Sequence, residues 1–421
     1  MPSLLPVALL SLAQTGCPTL LGIDQDYGVS EAGLPDTRGP LEGGTADDHR
    51  RVDGSNDARS LRDARGSGDQ VSPQGDAISA SGDSSQGDGC TGACACPTPG
   101  QIRCGSTCIN PSTDANHCGS CSNACTTMSP STTTCAAARC VTTLATPAGY
   151  GAEITVDATN VYWATGAGVF KTPLAGGAIA TLVPGGQPFG VAVTATTLYW
   201  TDFEGLLGRV GLDGSGAVTL VSTSLPTPPP YFVAADTTNV YWTTQTDNTT
   251  GTVTSQPLGG GSITTLASNQ DLSAGIAVQN QNLYWVTIGT GAANTGAINT
   301  SPTSSAMAHA VTQANYPFDV AVDDNNLYWT SRGVPGAVMQ LARGGGTPIT
   351  LGESVEPVGI AVDATNVYWA DMNQSTVMRV AIGGGTPVTI ASVIGAQYVA
   401  VDDTSVYCTS ANPGVFRITP K

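Results

Sequence analysis

Residues 357–371 read PVGIAVDATNVYWAD, a short apolar strand that ends in an aspartate, a turn, and a second strand that carries a Tyr-Trp pair. A third apolar segment follows at 377–380, and three glycines at 383–385 lead to a fourth segment at 387–390. Short apolar runs bounded by turn formers are typical of antiparallel strands. Four such strands in about 40 residues is the length of one β-propeller blade.

The same unit recurs through residues 141–421. Its Tyr-Trp pair, or Tyr-Cys in the last copy, stands at 162–163, 199–200, 241–242, 284–285, 328–329, 368–369 and 407–408. The intervals are 37, 42, 43, 44, 40 and 39 residues, and all six tryptophans of the chain belong to this motif. Because neighbouring residues on a strand point to opposite faces, a buried Tyr-Trp pair needs a sheet that is covered on both sides. Blades stacked around an axis provide this, so we predict an all-β fold, a seven-bladed β-propeller.

The pattern also predicts how the ring closes. The seventh copy runs through 415–418 and stops one strand short, whereas the segment CVTTL at 140–144 matches the fourth strand PVTI at 387–390. We therefore expect the N-terminal strand to complete the last blade, which removes both open edges of the ring. The first strand of each copy should lie innermost, where its small second residue, alanine in six copies and Thr155 in the first, suits the crowding.

The repeat resembles the YWTD propellers of low-density-lipoprotein receptors and related bacterial propeller repeats. Residues 199–202 match the four-letter motif fully, and residues 368–371 keep its aspartate. The receptor domains have six blades, whereas this chain has seven copies. The resemblance, which covers residues 141–421, therefore implies the fold and does not imply a ligand.

Residues 90–140 form a cysteine-rich module, for which we predict a disulfide framework because dense cysteines in a short segment are typical of an oxidising compartment. The candidate disulfide cysteines are Cys90, Cys94, Cys96, Cys104, Cys108, Cys118, Cys121, Cys125, Cys135 and Cys140. The stretch TDANHCGSC at 113–121 resembles the cysteine-rich repeat of the stigma-specific protein family. The alternative is a zinc site, since Cys118-x2-Cys121 with His117 nearby fits metal-ligand spacing. The spacing leaves the pairing open.

The first 89 residues predict export and a tether. An apolar stretch at 4–12 and the sequence AQTGC at 13–17 resemble a signal peptide that ends in a bacterial lipobox, although no Lys or Arg precedes it and Gln14 stands where leucine is usual. Residues 1–17 are thus the candidate signal peptide and Cys17 is the candidate lipidation site. Residues 18–89 are rich in Gly, Ser and Asp and predict a disordered linker. No apolar run reaches the ~20 residues that span a bilayer, so we expect membrane contact only through a lipid anchor.

The charge of the chain excludes one class of partner. Its formal net charge is −17, and an acidic surface repels phosphate backbones, so we expect no binding to nucleic acid. We also expect a monomer.

Candidate catalytic residues are few. His309 is the only histidine after residue 140, and it aligns with a fourth, outer strand. The glycine runs at 259–261, 344–346 and 383–385 predict hairpins rather than phosphate loops, because each joins two strands and lacks the Lys-Ser/Thr pair. Cys408 replaces a core tryptophan and is either a buried thiol or a partner of Cys140. An aspartate follows the first strand of five copies, where Asp commonly accepts hydrogen bonds from turn N–H groups: Asp157, Asp236, Asp323, Asp363 and Asp402.

The enzymatic alternative is a metal-dependent lyase or lactonase on the propeller axis. Streptogramin B lyases, which are also seven-bladed propellers, would imply a histidine base near the axis and a bound divalent metal. Sugar-lactone hydrolases on propellers would imply an axial Glu/Asn/Asp set. Only Glu153 and Asp319, just before innermost strands, could serve in such a set. We therefore predict no catalytic residue, no metal and no cofactor.

Aromatic residues collect just before the innermost strands, where the loops ring one mouth of the channel. These candidate ligand-binding residues are Phe189, Tyr231, Phe232, Phe318 and Tyr398. Rigid aromatic rings around a concave mouth suit a peptide or a carbohydrate, and the alternative is that they only plug the channel. The sequence thus predicts an exported binding or scaffold protein of a bacterial cell envelope, or an extracellular one, that binds a protein, peptide or glycan. A purely structural spacer is a third hypothesis.

Overall fold

The structure is a computed structural model that describes residue 96 and residues 98–125, 132–146, 149–222, 228–244, 251–290, 294–412 and 414–421. These residues belong to one compact unit that spans 84–421, and in this part of the chain the secondary structure is entirely β. The predictions for the signal peptide, Cys17, the linker, Cys90 and Cys94 lie outside the described residues. The predicted all-β propeller is confirmed.

The strands follow the predicted order. The segment before the ring holds β1 (Ile102–Cys104), β2 (Thr107–Ile109), β3 (Thr132–Ala136) and β4 (Arg139–Ala145). Blade 1 consists of β5 (Gly151–Val156), β6 (Asn160–Thr165), β7 (Gly168–Pro173) and β8 (Ala180–Pro184). Blade 2 consists of β9 (Pro188–Val193), β10 (Thr197–Asp202), β11 (Leu206–Gly211) and β12 (Val218–Ser222). Blade 3 consists of β13 (Pro230–Ala235), β14 (Asn239–Thr244), β15 (Gly251–Pro257) and β16 (Thr264–Gln270).

The remaining blades repeat this plan. Blade 4 consists of β17 (Ser273–Gln279), β18 (Asn282–Thr287), β19 (Gly296–Pro302) and β20 (His309–Ala314). Blade 5 consists of β21 (Pro317–Val322), β22 (Asn326–Ser331), β23 (Gly336–Ala342) and β24 (Ile349–Ser354). Blade 6 consists of β25 (Pro357–Val362), β26 (Asn366–Asp371), β27 (Thr376–Ala381) and β28 (Val388–Ser392). Blade 7 begins with β29 (Ala396–Val401), β30 (Val406–Ser410) and β31 (Gly414–Thr419).

The ring closes as predicted, with one addition. First strands of successive blades contact one another, and β29 of blade 7 contacts β5 of blade 1. Strand β4 pairs with β31 and supplies the missing fourth strand of blade 7. Strand β3 then pairs with β4, so the closing sheet has the order β29-β30-β31-β4-β3. The sequence pattern did not reveal this fifth strand, because β3 is polar and threonine-rich.

The Tyr-Trp pair forms the core between blades. Tyr199 of blade 2 packs in one cluster with Trp242 of blade 3, and Tyr328 of blade 5 packs in another with Trp369 of blade 6. The tyrosine therefore faces the next blade while the tryptophan faces the preceding one. Cys408 occupies the tryptophan position of blade 7 and lies in the cluster that contains Tyr368. It is a free, buried thiol, and its burial raises its pKa to about 12.

The aspartates after the first strands have the structural role that the sequence predicts. In blade 1, Asp157 Oδ1 accepts hydrogen bonds from the N–H groups of Thr159 and Asn160, and Oδ2 accepts one from the Tyr162 hydroxyl at 2.7 Å. Burial alone would raise the pKa of Asp157, but the hydrogen bonds from Tyr162, Thr159 and Asn160 outweigh it, and this pKa is lowered. Each such aspartate ties a turn to the tyrosine of the core.

Four disulfides organise the cysteine-rich module: Cys96–Cys108, Cys104–Cys121, Cys118–Cys135 and Cys125–Cys140. The zinc alternative is wrong, because Cys118 and Cys121 are both used in disulfides, while His117 contacts Asp114 at 3.3 Å. The possible Cys140–Cys408 bridge does not form, because Cys140 is bonded to Cys125. Disulfides in this number are compatible with an exported protein.

Two of these bridges fasten the module to the ring. Cys135 lies on β3 and Cys140 lies on β4, directly opposite each other in the strand register. Their partners, Cys118 and Cys125, lie in the part of the module that precedes β3. A bridge that closes a loop of 15 to 17 residues contributes ~3 kcal/mol, so the closing strand is held covalently as well as by hydrogen bonds. In the described residues, no helix is long and apolar enough to cross a bilayer.

Candidate functional site

The side chains at the propeller axis are set by a bulge that every blade repeats. The pairing of each first strand with its second strand shifts register after the first residue, so two residues of the first strand, here called the second and third, stand opposite one residue of the second strand and are re-aimed. The second residues are Ala152, Phe189, Tyr231, Ala274, Phe318, Val358 and Gln397. The third residues are Glu153, Gly190, Phe232, Gly275, Asp319, Gly359 and Tyr398.

The threonine of the Tyr-Trp-Thr motif locks this bulge to the next blade. Thr201 Oγ1 accepts a hydrogen bond from Gly190 N at 2.9 Å and donates one to the carbonyl of Tyr231 in blade 3. Thr409 does the same across the ring closure, with Tyr398 N at 3.3 Å and the carbonyl of Ala152 at 2.8 Å. The motif thus fixes the backbone that carries the axial side chains.

The five predicted aromatic residues come together as a cluster, here called the aromatic plug. Phe189 lies 4.5 Å from Tyr231, 5.1 Å from Phe232 and 5.7 Å from Tyr398 between ring centroids. Phe318 joins through Phe232 at 6.0 Å. All five rings are at most 4% exposed. They contact one another, as the plug hypothesis predicts, and direct ligand contact by these rings stays a prediction.

The plug closes one end of the channel, the end at which the first strands begin, here called the plug end. There the second residues of all seven first strands are buried. At the other end, the sixth residue of every first strand keeps part of its surface accessible, for example Val156, Val278 and Val401. The side chains of the first strands are therefore buried at the plug end and partly accessible at the opposite end, here called the turn end.

Two carboxylates lie in the same layer as the plug. Glu153 Oε2 accepts a hydrogen bond from Val191 N at 3.0 Å, and Asp319 accepts from Ile360 N at 3.0 Å and from Val320 N at 2.8 Å. Burial, and then the charge of Asp319, raise the pKa of Glu153 well above its ordinary value, against the Val191 hydrogen bond. Burial raises the pKa of Asp319 to about 7, against its two backbone hydrogen bonds.

Glycines in neighbouring blades make room for these acids. A Cβ on Gly275 would lie 2.4 Å from Asp319 Oδ1. Gly359 comes directly before Ile360, whose N–H donates to Asp319 Oδ2. Gly190 likewise precedes Val191, the donor to Glu153. The signal for this arrangement was present in the sequence, since the third position alternates between large side chains and glycine around the ring. No single copy of the repeat shows this alternation.

The axial acids do not fit the metal set that the lyase and lactonase resemblances imply. Three of their four carboxylate oxygens accept backbone N–H groups. Among the described residues, the only group of three potential metal ligands is Cys118, Cys125 and Cys140, and disulfides occupy all three. His309 is exposed on the outer strand β20, where its Nδ1 lies 3.2 Å from the carbonyl of Met307.

The loops around the plug carry exposed aliphatic side chains that the sequence analysis did not single out. Val334, Val355 and Ile394 are 98%, 53% and 72% exposed, and they stand in loops at the plug end. Beneath them, Arg332 forms an ion pair with Glu356, and its guanidinium lies 4.9 Å from the centroid of the Phe318 ring. We call Val334, Val355 and Ile394, with the Arg332–Glu356 pair, the rim.

Hydrogen bonds join the loops of the rim into one surface. Arg332 N donates to the carbonyl of Tyr316, and Met372 N donates to the carbonyl of Glu356. Asp371, from the Tyr-Trp-Ala-Asp copy of the motif, accepts from the N–H of Val355 at 2.8 Å. These bonds hold the loops that carry Val334 and Val355 to blades 5 and 6, and Ser410 Oγ of blade 7 donates to the carbonyl of Ile394.

Comparison with known proteins shows the fold and leaves the function undetermined. No protein-family model and no curated protein matches the chain. The structure is similar to virginiamycin B lyase from Staphylococcus aureus, with a TM-score of 0.55 and 14% identity over 66% of this chain and 98% of that one. It is also similar to YCF48 bound to D1 peptide, with a TM-score of 0.53 and 10% identity over 67% of this chain and 96% of that one.

A chain of the nidogen/laminin complex has 19% identity and a TM-score of 0.47 over 57% of this chain and 97% of that one. At these identities the similarity establishes the propeller alone, and propellers of this kind include both binding proteins and enzymes. The resemblance of residues 90–140 to the stigma-specific repeat stays a prediction.

Proposed function

We propose that this chain is an exported, non-enzymatic binding protein whose propeller binds a polypeptide on the rim at its plug end. The observation that carries the proposal is the exposure of Val334, Val355 and Ile394 on loops that hydrogen bonds and an ion pair hold rigid. Aliphatic side chains at loop tips lose contact with water when a partner covers them. A rigid frame reduces the entropy that binding must overcome.

The chemistry of the rim favours a polypeptide over a glycan. Sugar rings bind on the exposed faces of aromatic side chains, but the five rings of the aromatic plug are buried among themselves. Exposed valine and isoleucine side chains suit the apolar side chains of a peptide instead. Glu353 adds an exposed negative charge beside Val355, and the whole chain is acidic, so the expected partner is neutral or basic at its contact surface.

The N-terminal region supplies the expected location of this binding protein. If Cys17 is lipidated, residues 18–89 would hold the disulfide module and the propeller away from a bacterial membrane. The four disulfides agree with an oxidising compartment. Export and lipidation rest on the sequence at 1–17, and a mass measurement of the mature protein from cells tests both.

The rim is tested by capture of partners from a cell-envelope extract, with full-length protein as bait. The test variant is Val334→Ser/Ile394→Ser, which removes apolar surface from loop tips without touching the plug. The matched control is Val218→Ser/Val388→Ser, which changes two exposed valines on outer strands that are 45% and 42% exposed. We expect a partner that the wild type and the control bind and that the rim variant binds at least ~10-fold more weakly. Equal capture by all three proteins, or capture by none, would refute the proposal.

The alternative function, a metal-dependent lyase or lactonase, rests on Glu153 and Asp319. Because backbone N–H groups already occupy most of their oxygens, the geometry supports it less well than binding at the rim. Metal analysis of the purified chain, with Glu153→Gln as its control, distinguishes the two. A stoichiometric divalent ion that this substitution removes would favour the enzyme.

A further inference from the structure

One contact that most blades share is missing from blade 4. In five blades the tyrosine of the Tyr-Trp or Tyr-Cys pair donates its hydroxyl proton to an aspartate Oδ2 at 2.7 to 2.9 Å. In blade 4 the aspartate position, five residues before Tyr284, is occupied by Gln279. A glutamine cannot form the short Asx turn of the other blades, and the chain instead makes a two-residue turn at Asn280 and Gln281, both with positive φ.

The polar groups of this turn point to the neighbouring blade. Gln279 Nε2 and Asn280 Nδ2 both donate to Asp324 Oδ1 of blade 5, at 2.9 and 3.0 Å. The hydroxyl of Tyr284 instead accepts a hydrogen bond from Arg343 Nε at 3.0 Å. In the described part of the chain, the proton of the Tyr284 hydroxyl therefore has no acceptor.

A second shared contact is also missing there. In blades 1, 2, 6 and 7 the third-strand residue opposite the tyrosine is a lysine or arginine that donates to a carbonyl of the next blade: Lys171, Arg209, Arg379 and Arg417. In blade 4 the residue opposite Tyr284 is Thr300, whose short side chain bonds within its own blade, to the carbonyl of Leu283. Blade 2 lacks the aspartate but keeps the cation, and blades 3 and 5 keep the aspartate but lack the cation. Only blade 4 lacks both.

The two losses leave a cleft of about 610 Å³ between blades 4 and 5. Its polar lining comes from Asn282, Tyr284, Thr300, His309, Asp324 and Arg343. His309, the only histidine of the propeller, pairs directly with Thr300 in the strand register, which places it at this cleft. Arg343 lies across Tyr284, with its guanidinium carbon 5.4 Å from the ring centroid.

Two donor groups of this cleft have no acceptor among the described residues. Arg343 uses Nε for the Tyr284 hydroxyl and Nη1 for the carbonyls of Asp323 and Asp324. Its Nη2 has no acceptor among the described residues, and neither does the Tyr284 proton. In blades 1, 3, 5, 6 and 7 a carboxylate oxygen accepts the proton of the tyrosine hydroxyl. A guanidinium edge beside a hydroxyl donor is a suitable partner for a carboxylate.

We propose that the cleft between blades 4 and 5 binds the carboxylate of a small ligand, which takes the place of the aspartate that blade 4 lacks. The carboxylate accepts hydrogen bonds from the Tyr284 hydroxyl and Arg343 Nη2, and the space above Thr300 and beside His309 holds the rest of the ligand. The site lies on the inter-blade flank at the turn end, so it is separate from the rim. Its existence does not depend on the proposed polypeptide binding.

A carboxylate can come from an acidic sugar or from a peptide, and two probes distinguish these sources. Saturation-transfer NMR on the full chain would use glucuronate and N-acetylglycine, with glucose and N-acetylglycinamide as their neutral counterparts. We expect saturable binding of at least one acid and none of its neutral counterpart. Binding of glucuronate alone indicates an acidic sugar, binding of N-acetylglycine alone indicates a peptide carboxylate, and binding of both indicates a site for the carboxylate itself.

Two variants that restore the common pattern locate the site. Gln279→Asp supplies the missing carboxylate from the chain, and Thr300→Lys supplies the missing cation and fills the cleft. Both introduce residues that other blades already hold at these positions, so we expect them to fold. Each should weaken binding at least ~10-fold. The matched control, Thr194→Asp, makes the same kind of change at the equivalent position of blade 2 and should leave binding unchanged. Failure of both acids to bind, equal binding of the neutral probes, or unchanged binding in both variants would overturn the proposal.

Discussion

The axial acids predict an unusual dependence of stability on pH, and the substitution Asp319→Asn isolates it. Burial raises the pKa of Asp319 to about 7 in the folded protein, whereas the same group has a pKa of about 3.9 in an unfolded chain. Between these two values the folded state holds more protons than the unfolded state. Its free energy of unfolding therefore falls as the pH rises from about 4 to about 7, and the loss is complete above that range. Asparagine does not ionise, so the variant lacks this loss.

The pKa of Asp319 in the folded protein lies about 3 pKa units above its value in the unfolded chain, which corresponds to at most ~4 kcal/mol of unfolding free energy. Asp319 keeps part of its surface accessible, and solvent screening reduces this to ~2 kcal/mol. Asparagine keeps one carbonyl acceptor but loses one of the two backbone hydrogen bonds, from Ile360 N or Val320 N, which costs ~1 kcal/mol at every pH. We expect the variant to be ~1 kcal/mol less stable than the wild type at pH 4 and ~1 kcal/mol more stable at pH 8.

Urea unfolding at pH 4, 6 and 8 checks this, followed by tryptophan fluorescence because all six tryptophans lie in the propeller. Asp363→Asn is the control with the opposite sign. Burial would raise the pKa of Asp363, but the ion pair with Lys421 and the hydrogen bonds from Thr365, Asn366 and Tyr368 lower it. A lowered pKa gives stability that is almost fully present at pH 4 and is lost only at lower pH, so the stability that this variant loses should be nearly the same at pH 6 and pH 8. A stability difference for Asp319→Asn that does not change with pH would refute the reasoning.

Two further substitutions test the axial packing and the ring closure. Gly275→Ala places a Cβ 2.4 Å from Asp319 Oδ1 and should lower the free energy of unfolding by ~1–3 kcal/mol, measured by thermal unfolding. Its control is Gly259→Ala, whose Cβ would meet nothing within 4 Å, and which should lower that free energy by less than ~0.5 kcal/mol. Equal losses in the two variants would contradict the proposed close packing. Cys125→Ser/Cys140→Ser removes the Cys125–Cys140 bridge and should lower the stability of the propeller by ~3 kcal/mol, because it frees the closing strand β4. Cys96→Ser/Cys108→Ser should change the unfolding free energy, followed by tryptophan fluorescence, by less than ~0.5 kcal/mol. A larger loss from the second variant than from the first would contradict the closure argument.

The fold was predictable because the propeller repeats its physical constraints seven times. A typical copy has a pair of large side chains on opposite faces, a turn aspartate and a small residue on the innermost strand. Where one copy departs from this pattern, the other six still indicate where its strands lie. The closing strand was predictable for the same reason, since residues 140–144 match an outer strand and blade 7 lacks one. Strand β3 was not predictable, because its threonine-rich sequence lacks the apolar pattern of the blade strands.

The candidate functional site was harder to predict from the sequence than the fold, because the residues that form it differ from one copy of the repeat to the next. The five plug residues were found as a group because they share the positions just before the innermost strands. Their burial depends on how far seven strands converge, which no single copy shows. Val334 and Ile394 were missed because loop tips vary in length and composition, and exposure depends on what the neighbouring loops cover.

The cleft at blade 4 points to function because it departs from the contacts that the other blades share. Wherever the common contacts form, the tyrosine hydroxyl donates to the aspartate and the inter-blade cation donates to a backbone carbonyl of the next blade, so folding alone explains those groups. In blade 4 the loss of both the carboxylate and the cation leaves a hydroxyl proton and a guanidinium edge unmatched at one place. Arg343 is only partly buried, and its Nη2 stays accessible to solvent and to a ligand. A ligand carboxylate that accepts from both donors accounts for a departure that folding does not explain.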